Sequence, residues 1–116
     1  MVPAAFEAES LDENTLLLTV SGELDLATSR ELRRRVENCL REGNTGLVVD
    51  ITELTHMDSS GLAALISAQQ LTQEHSARMA LVVDTEHVRR TLEVRGVDRL
   101  FEIYEDRDEG VAAVRR

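Results

Sequence analysis

Aromatic side chains are scarce in this chain of 116 residues, which has no Trp, one Tyr and two Phe. Without a flat aromatic platform, unpaired bases have little to stack on, which argues against RNA and single-stranded DNA as partners. Lysine is missing altogether: the thirteen basic residues are all Arg, set against 22 acidic ones, for a formal net charge of −9. A Schiff-base lysine or a phosphate-loop lysine is therefore excluded. A surface that is negative on balance repels a phosphate backbone, so a basic protein is a more natural partner than nucleic acid. Cys39 is the lone cysteine, so no internal disulfide framework exists, and its place on an apolar helix face makes it a small buried hydrophobe rather than a nucleophile. No apolar run approaches the ~20 residues of a membrane span. The start "MVPAAFEAES" lacks both a basic leader and an apolar h-region, so the expected compartment is the cytoplasm, with no membrane partner.

What remains is aliphatic, and it is patterned. The length suits one compact domain over 1–116 that removes roughly two thirds of its unfolded surface from water. "TLLLTVS", Thr15 to Ser21, places Leu16, Leu18 and Val20 on one side of a period-two pattern and stops at Gly22; a weaker strand around Ala4 to Ala8 and a turn at "LDEN" precede it. In "LATSRELRRRVENCLREGN" the residues Leu32, Val36, Cys39 and Leu40 form a helical stripe, with Thr28 and Glu31 spaced as a capping box and Gly43 as the stop. "GLVVDI", Gly46 to Ile51, is apolar on both faces and reads as a central strand. A helix opening with Leu62, Leu65 and Ile66 follows, its other side (Ala64, Ser67, Ala68, Leu71) small enough for close approach to a sheet. A strand from Met79 to Asp84 comes next, then a helix carrying Val88 and Leu92 that ends at Gly96. A strand "RLFEIY" and a last helix from Asp106, with Glu109 as its capping-box partner, complete the chain. The order β-β-α-β-α-β-α-β-α predicts an α/β fold: a mostly parallel sheet of four to five strands with an antiparallel edge hairpin, packed with about four helices.

The chemistry concentrates in "THMDSSGLAALISA", Thr55 to Ala68. It lies beyond the carboxyl end of the central strand, where α/β sheets place their functional ground. A plain helix start, capped by Ser59 or Ser60 with Gly61 permitting the tight turn, accounts for the residues without further duty. A serine nucleophile helped by His56 and Asp58 has the right residue types, but an Asp two residues from the His on one short turn is poorly placed to orient it, and no G-x-S-x-G elbow is present. His56, His75 and His87 scatter over a turn, a helix end and another helix start, so no metal is expected. One glycine and no Lys make a poor phosphate loop, so no nucleotide or other cofactor is expected. The remaining reading makes a serine the substrate. A helix N-terminus offers free N–H groups and the positive end of the dipole, and so accepts a phosphoryl group of about −1.5 to −2 charge without unfolding the domain.

Three segments, "GELDLATSRELR", "LVVDITELTHMDSSGLAALISA" and "LEVRGVDRLFEIYEDRDEGVAAV", resemble the bacterial anti-sigma factor antagonists of the STAS-domain family nearly end to end. The resemblance implies a STAS-type single domain that is not an enzyme. It would bind an anti-sigma factor with a serine-kinase fold and free a sigma factor to join RNA polymerase, until that same kinase phosphorylates it. Carried over by position, Ser59 would take the phosphate, Ser60 would do so less often, and a phosphoserine phosphatase would restore the bare form. Asp58, Gly61 and Leu62 would shape the loop and touch the partner. Asp25, in "GELD", would affect recognition by the kinase, and otherwise reads as a turn residue. Departures are Ala63, where many relatives have a second Gly, and Glu105 and Asp106, where a Ser often caps the last helix; both suit helix formation. The rival within the family is an adaptor on another assembly, such as a transporter ATPase or a stress-signalling complex. The distant rival is a serine hydrolase, which a fluorophosphonate would label covalently at Ser59 or Ser60. The expected outcome is an unlabelled intact mass for the folded protein.

Overall fold

A computed structural model describes residues 4–116. The chain enters through a hairpin, β1 (Ala5–Ser10) and β2 (Thr15–Leu24), closed by an Asp12 turn in which Asn14 N–H donates to Asp12 Oδ1 at 2.9 Å. β2 does not stop at Gly22 as its pattern suggested. Gly22 has φ of 84° and the pairing register shifts beside it, so this residue absorbs an irregularity that a Cβ would resist, and the strand runs on to Leu24.

α1 (Leu26–Arg41) follows at once. Its cap is also a correction: the box is Asp25 with Thr28, not Thr28 with Glu31. Asp25 Oδ1 accepts from Thr28 N–H at 3.1 Å while Thr28 Oγ1 accepts from Asp25 N–H at 3.0 Å. Two cap-spaced pairs overlap in this stretch, and the earlier prevails because Asp25 still holds extended backbone at the end of β2. Glu31 is left to bind Arg34 at 2.6 Å. Leu32, Val36, Cys39 and Leu40 are buried as their spacing predicts, and burial pushes the Cys39 thiol up to about 11, leaving it protonated and unreactive at neutral pH.

β3 (Gly46–Met57) is the central strand, longer than "GLVVDI" alone implied. α2 (Ser59–Glu74), β4 (Arg78–Val82), α3 (Glu86–Val94), a 3-10 turn at Asp98–Leu100, β5 (Glu102–Tyr104) and α4 (Arg107–Val114) complete the order. Arg99 and Leu100 of "RLFEIY" thus belong to the 3-10 turn, and the strand begins only at Glu102. The sheet runs β1-β2-β3-β4-β5, with β1 antiparallel and the other pairings parallel, as expected. No helix among the described residues is long and apolar enough to cross a membrane.

α1, α2 and α3 cover one face, where Leu18, Val20, Leu47, Val49 and Ile51 meet Leu32, Leu65 and Leu92. The other face carries a smaller cluster, Leu17, Val48, Ala80 and Val82, covered by α4 through Val114. α4 lies close because Gly110 faces the sheet: a Cβ there would meet Val82 Cγ2 at 3.1 Å. Asp106 caps α4 by accepting from Asp108 N–H at 2.7 Å, and no bond joins it to Glu109, so the expected second capping box does not form.

Sequence patterning gave no hint of the pair that pins α4. Asp50, on β3 with its side chain 3% exposed, accepts from Arg107 Nε at 2.9 Å and Nη2 at 2.7 Å, while its other oxygen takes Thr52 N–H at 2.9 Å. The carboxylate also favours the charged form of Arg107. Removing the guanidinium strands a desolvated charge on the sheet, so Arg107→Ala is expected to lower stability in urea by about 2 kcal/mol, with Arg107→Lys losing less. Parallel denaturation curves would measure both.

Candidate functional site

Two strand ends create the site. Leu24 of β2 pairs with Met57 of β3, and one residue beyond each, an Asp caps a helix: Asp25 for α1 and Asp58 for α2. The exits are tied together, since Asp58 N–H donates to the Leu24 carbonyl at 3.2 Å. Asp25, Asp58, Ser59, Ser60, Gly61 and Leu62 are therefore gathered at the carboxyl edge of the sheet, where the sequence pattern expected the functional ground.

The cap itself differs from expectation. Asp58, not Ser59 or Ser60, is the N-cap: its backbone is extended (φ −92°, ψ −175°) and its Oδ1 accepts from Gly61 N–H at 3.0 Å. Three consecutive residues of N-cap type precede Gly61, and the strand's extended backbone reaches only as far as Asp58, so the first of them takes the role. Both hydroxyls are released by this. Ser59 is the first helical residue and exposed, Ser60 is half-buried, and among the described residues neither side chain has a protein hydrogen-bond partner. The free N–H groups of the first turn lie beside them, at the positive end of the helix dipole.

Gly61 is buried against the neighbouring strand. A Cβ on it would stand inside contact distance of the Leu24 carbonyl oxygen and 2.9 Å from Leu24 Cγ, so α2 starts flush on the end of β2 only because this residue has no side chain. Leu62 turns inward as part of the core. His56 lies within β3, opposite Glu23, rather than on a turn, and is exposed. His75 is the α2 C-cap and His87 begins α3. No histidine is hydrogen-bonded to either serine, and Asp58 is engaged by the backbone, so the parts of a serine nucleophile are not assembled.

The rim holds residues that the sequence pattern did not single out. Leu26, the first residue of α1, is 70% exposed beside Asp25, and Glu23 lies across from His56. Helical periodicity could not flag Leu26, because its exposure follows from α1 starting earlier than the Thr28 cap implied.

A family model described as STAS domain matches residues 6–110. The chain is 29% identical over 92 residues to an anti-sigma F factor antagonist of Paenibacillus polymyxa, covering 78% of this chain and 79% of that one. Its fold is similar to the crystal structure of an anti-sigma factor antagonist from Mycobacterium paratuberculosis, with TM-score 0.87, 24% identity and coverage of 98% and 96% of the two chains. It is likewise similar to the Bacillus cell fate determinant SpoIIAA in the phosphorylated form, with TM-score 0.73, 21% identity and coverage of 95% and 99%.

Gly61→Ala forces α2 away from Leu24. The expected outcome is a loss of about 1 to 3 kcal/mol in denaturant unfolding. Amide shifts at Leu24, Asp58 and Ser59 should report the displaced helix start, whereas Ala63→Gly, on the exposed side of the same helix, should leave those shifts in place.

Proposed function

The chain belongs to the STAS domain family, and from that membership we propose that it is an anti-sigma factor antagonist switched by phosphorylation of Ser59. In this reading the bare form binds an anti-sigma factor with a serine-kinase fold in the cytoplasm, and a sigma factor is released to RNA polymerase. The protein acts as a regulator rather than an enzyme. Kinase action on Ser59 ends the binding, and a phosphoserine phosphatase restores it.

The observation that carries the proposal is the state of Ser59. Its hydroxyl is exposed, unbonded and placed at the first position of a helix whose capping duty Asp58 has already taken. A serine that capped α2 could be modified only by dismantling the helix start, whereas this one can be modified in place. Ser60, one residue further and half-buried, is the poorer acceptor.

The electrical consequence is a switch without a change of fold. A phosphate of about −1.5 to −2 charge beside Asp58 and Asp25 loads one edge with like charge, and a partner matched to the bare surface meets repulsion and uncompensated desolvation. Each 1.4 kcal/mol lost costs about tenfold in affinity, so a few kcal/mol suffices. Exposed Leu26, next to Asp25 in the chain, supplies an apolar contact for the same partner.

Intact mass and tandem mass spectrometry of the chain purified from its own cells provide the test. The expected result is a phosphate on Ser59 that is absent in Ser59→Ala, together with capture of a serine-kinase-fold protein by wild type and Ser59→Ala but not by Ser59→Glu. An unmodified chain under all growth conditions would overturn the switch and leave a constitutive adaptor as the reading.

A further inference from the structure

β5 is the last strand of the sheet. Glu102–Tyr104 pairs with β4 on one side, where Val83 N–H donates to the Tyr104 carbonyl at 2.9 Å, and among the described residues no strand lies on the other. Parallel pairing alternates, so the N–H and C=O of Ile103 point outward, and among the described residues neither has a protein partner. This edge forms one wall of an open groove of about 540 Å³ bounded by α3 and α4. Phe101 and Ile103 supply its apolar lining.

The charges of the groove are lopsided. Glu93, Asp98, Glu105 and Glu109 line it against one cation, Arg89, which is already paired with Glu105 at 3.1 Å and donates to the Val83 carbonyl at 3.3 Å. Glu93, Asp98 and Glu109 have no ion-pair partner among the described residues. Glu109 sits in the first turn of α4, where the dipole favours it. Glu93 does not have that explanation: it lies in the last turn of α3, at the negative end of the dipole, where a carboxylate is disfavoured and the turn itself holds no basic residue.

An unpaired strand edge, an apolar lining and a rim of unneutralised carboxylates describe one kind of occupant. We propose that the outer edge of β5 is a docking strand for an extended segment of a partner protein in which basic and apolar residues alternate. The segment adds as a sixth strand: its backbone bonds Ile103 N–H and C=O, its apolar side chains pack on Phe101 and Ile103 on the α3 face, and its Arg or Lys side chains, on the opposite face, meet Glu109 of α4, with Glu93 and Asp98 adding longer-range attraction. The brevity of β5 and the helices on either side keep so short an edge from unselective sheet-to-sheet pairing. None of the groove residues belongs to the Ser59 loop, so the proposal stands apart from the function inferred there.

The test uses the full chain and a fluorescent peptide, acetyl-Arg-Val-Arg-Val-Arg-Val-amide. Expected are saturable one-to-one binding, slowed exchange of the Ile103 amide at saturation, and binding about tenfold weaker when the central Val is N-methylated at unchanged charge. Glu93→Gln with Glu109→Gln should weaken binding comparably while leaving the fold intact. Equal binding of the N-methylated peptide, or an Ile103 amide that exchanges as fast with peptide as without, would reduce the effect to diffuse charge attraction and overturn the proposal. Ile103 protection that rises with protein concentration in the absence of peptide would assign the edge to a second copy of this chain, and overturn it also.

Discussion

The seating of Gly61 on Leu24 is the contact on which the functional edge depends. It sets where α2 begins, and with it that Asp58 caps the helix and both serine hydroxyls are left free. A side chain at this position would lift the first turn off β2, break the short link from Asp58 N–H to the Leu24 carbonyl, and let the two helix starts drift apart. The interaction is steric rather than attractive: the site is positioned by what is absent at one Cα. That differs in kind from the polar pin at α4, where a buried carboxylate and a half-exposed guanidinium hold a helix that has little apolar surface of its own.

Much of the fold was legible in the sequence because hydrophobic period is a strong local signal. The α1 stripe, the doubly apolar run of β3, and the alternation of strands with helices each came from neighbouring residues alone. The place of the candidate edge was legible for a different reason: a loop after a central parallel strand has a defined place in such folds, whatever its residues. Boundaries were harder to read. Asp25, Thr28 and Glu31 offer two overlapping capping pairs, and Asp58, Ser59 and Ser60 offer three caps in a row. Tertiary structure decides among them: the reach of the preceding strand, set by pairing across the sheet, and at α2 also the seating of Gly61 on Leu24. The pair of Asp50 with Arg107 joins residues 57 positions apart and leaves no local trace. The groove beside β5 likewise depends on which strand ends the sheet, a fact of topology rather than of pattern.

The two electrostatic regions of the molecule work through different physics. At the α2 start, carboxylates already occupy helix caps, so added phosphate changes the surface potential without creating a new structural obligation. In the groove beside β5, Glu93, Asp98 and Glu109 have no such employment, and their field extends into open space. The chain's overall acidity is thus partly structural and partly left over, and the leftover share is spatially concentrated.

β3 outlasts its neighbour. Its pairing with β4 ends at Asp50, yet it continues beside β2 alone to Met57. Residues from Thr52 to Met57 thus answer to one strand instead of two, and apart from buried Leu54 their side chains are exposed or half-exposed. Such a stretch can accumulate substitutions without renegotiating the core, so the surface leading up to Ser59 is free to vary while the sheet beneath it stays the same.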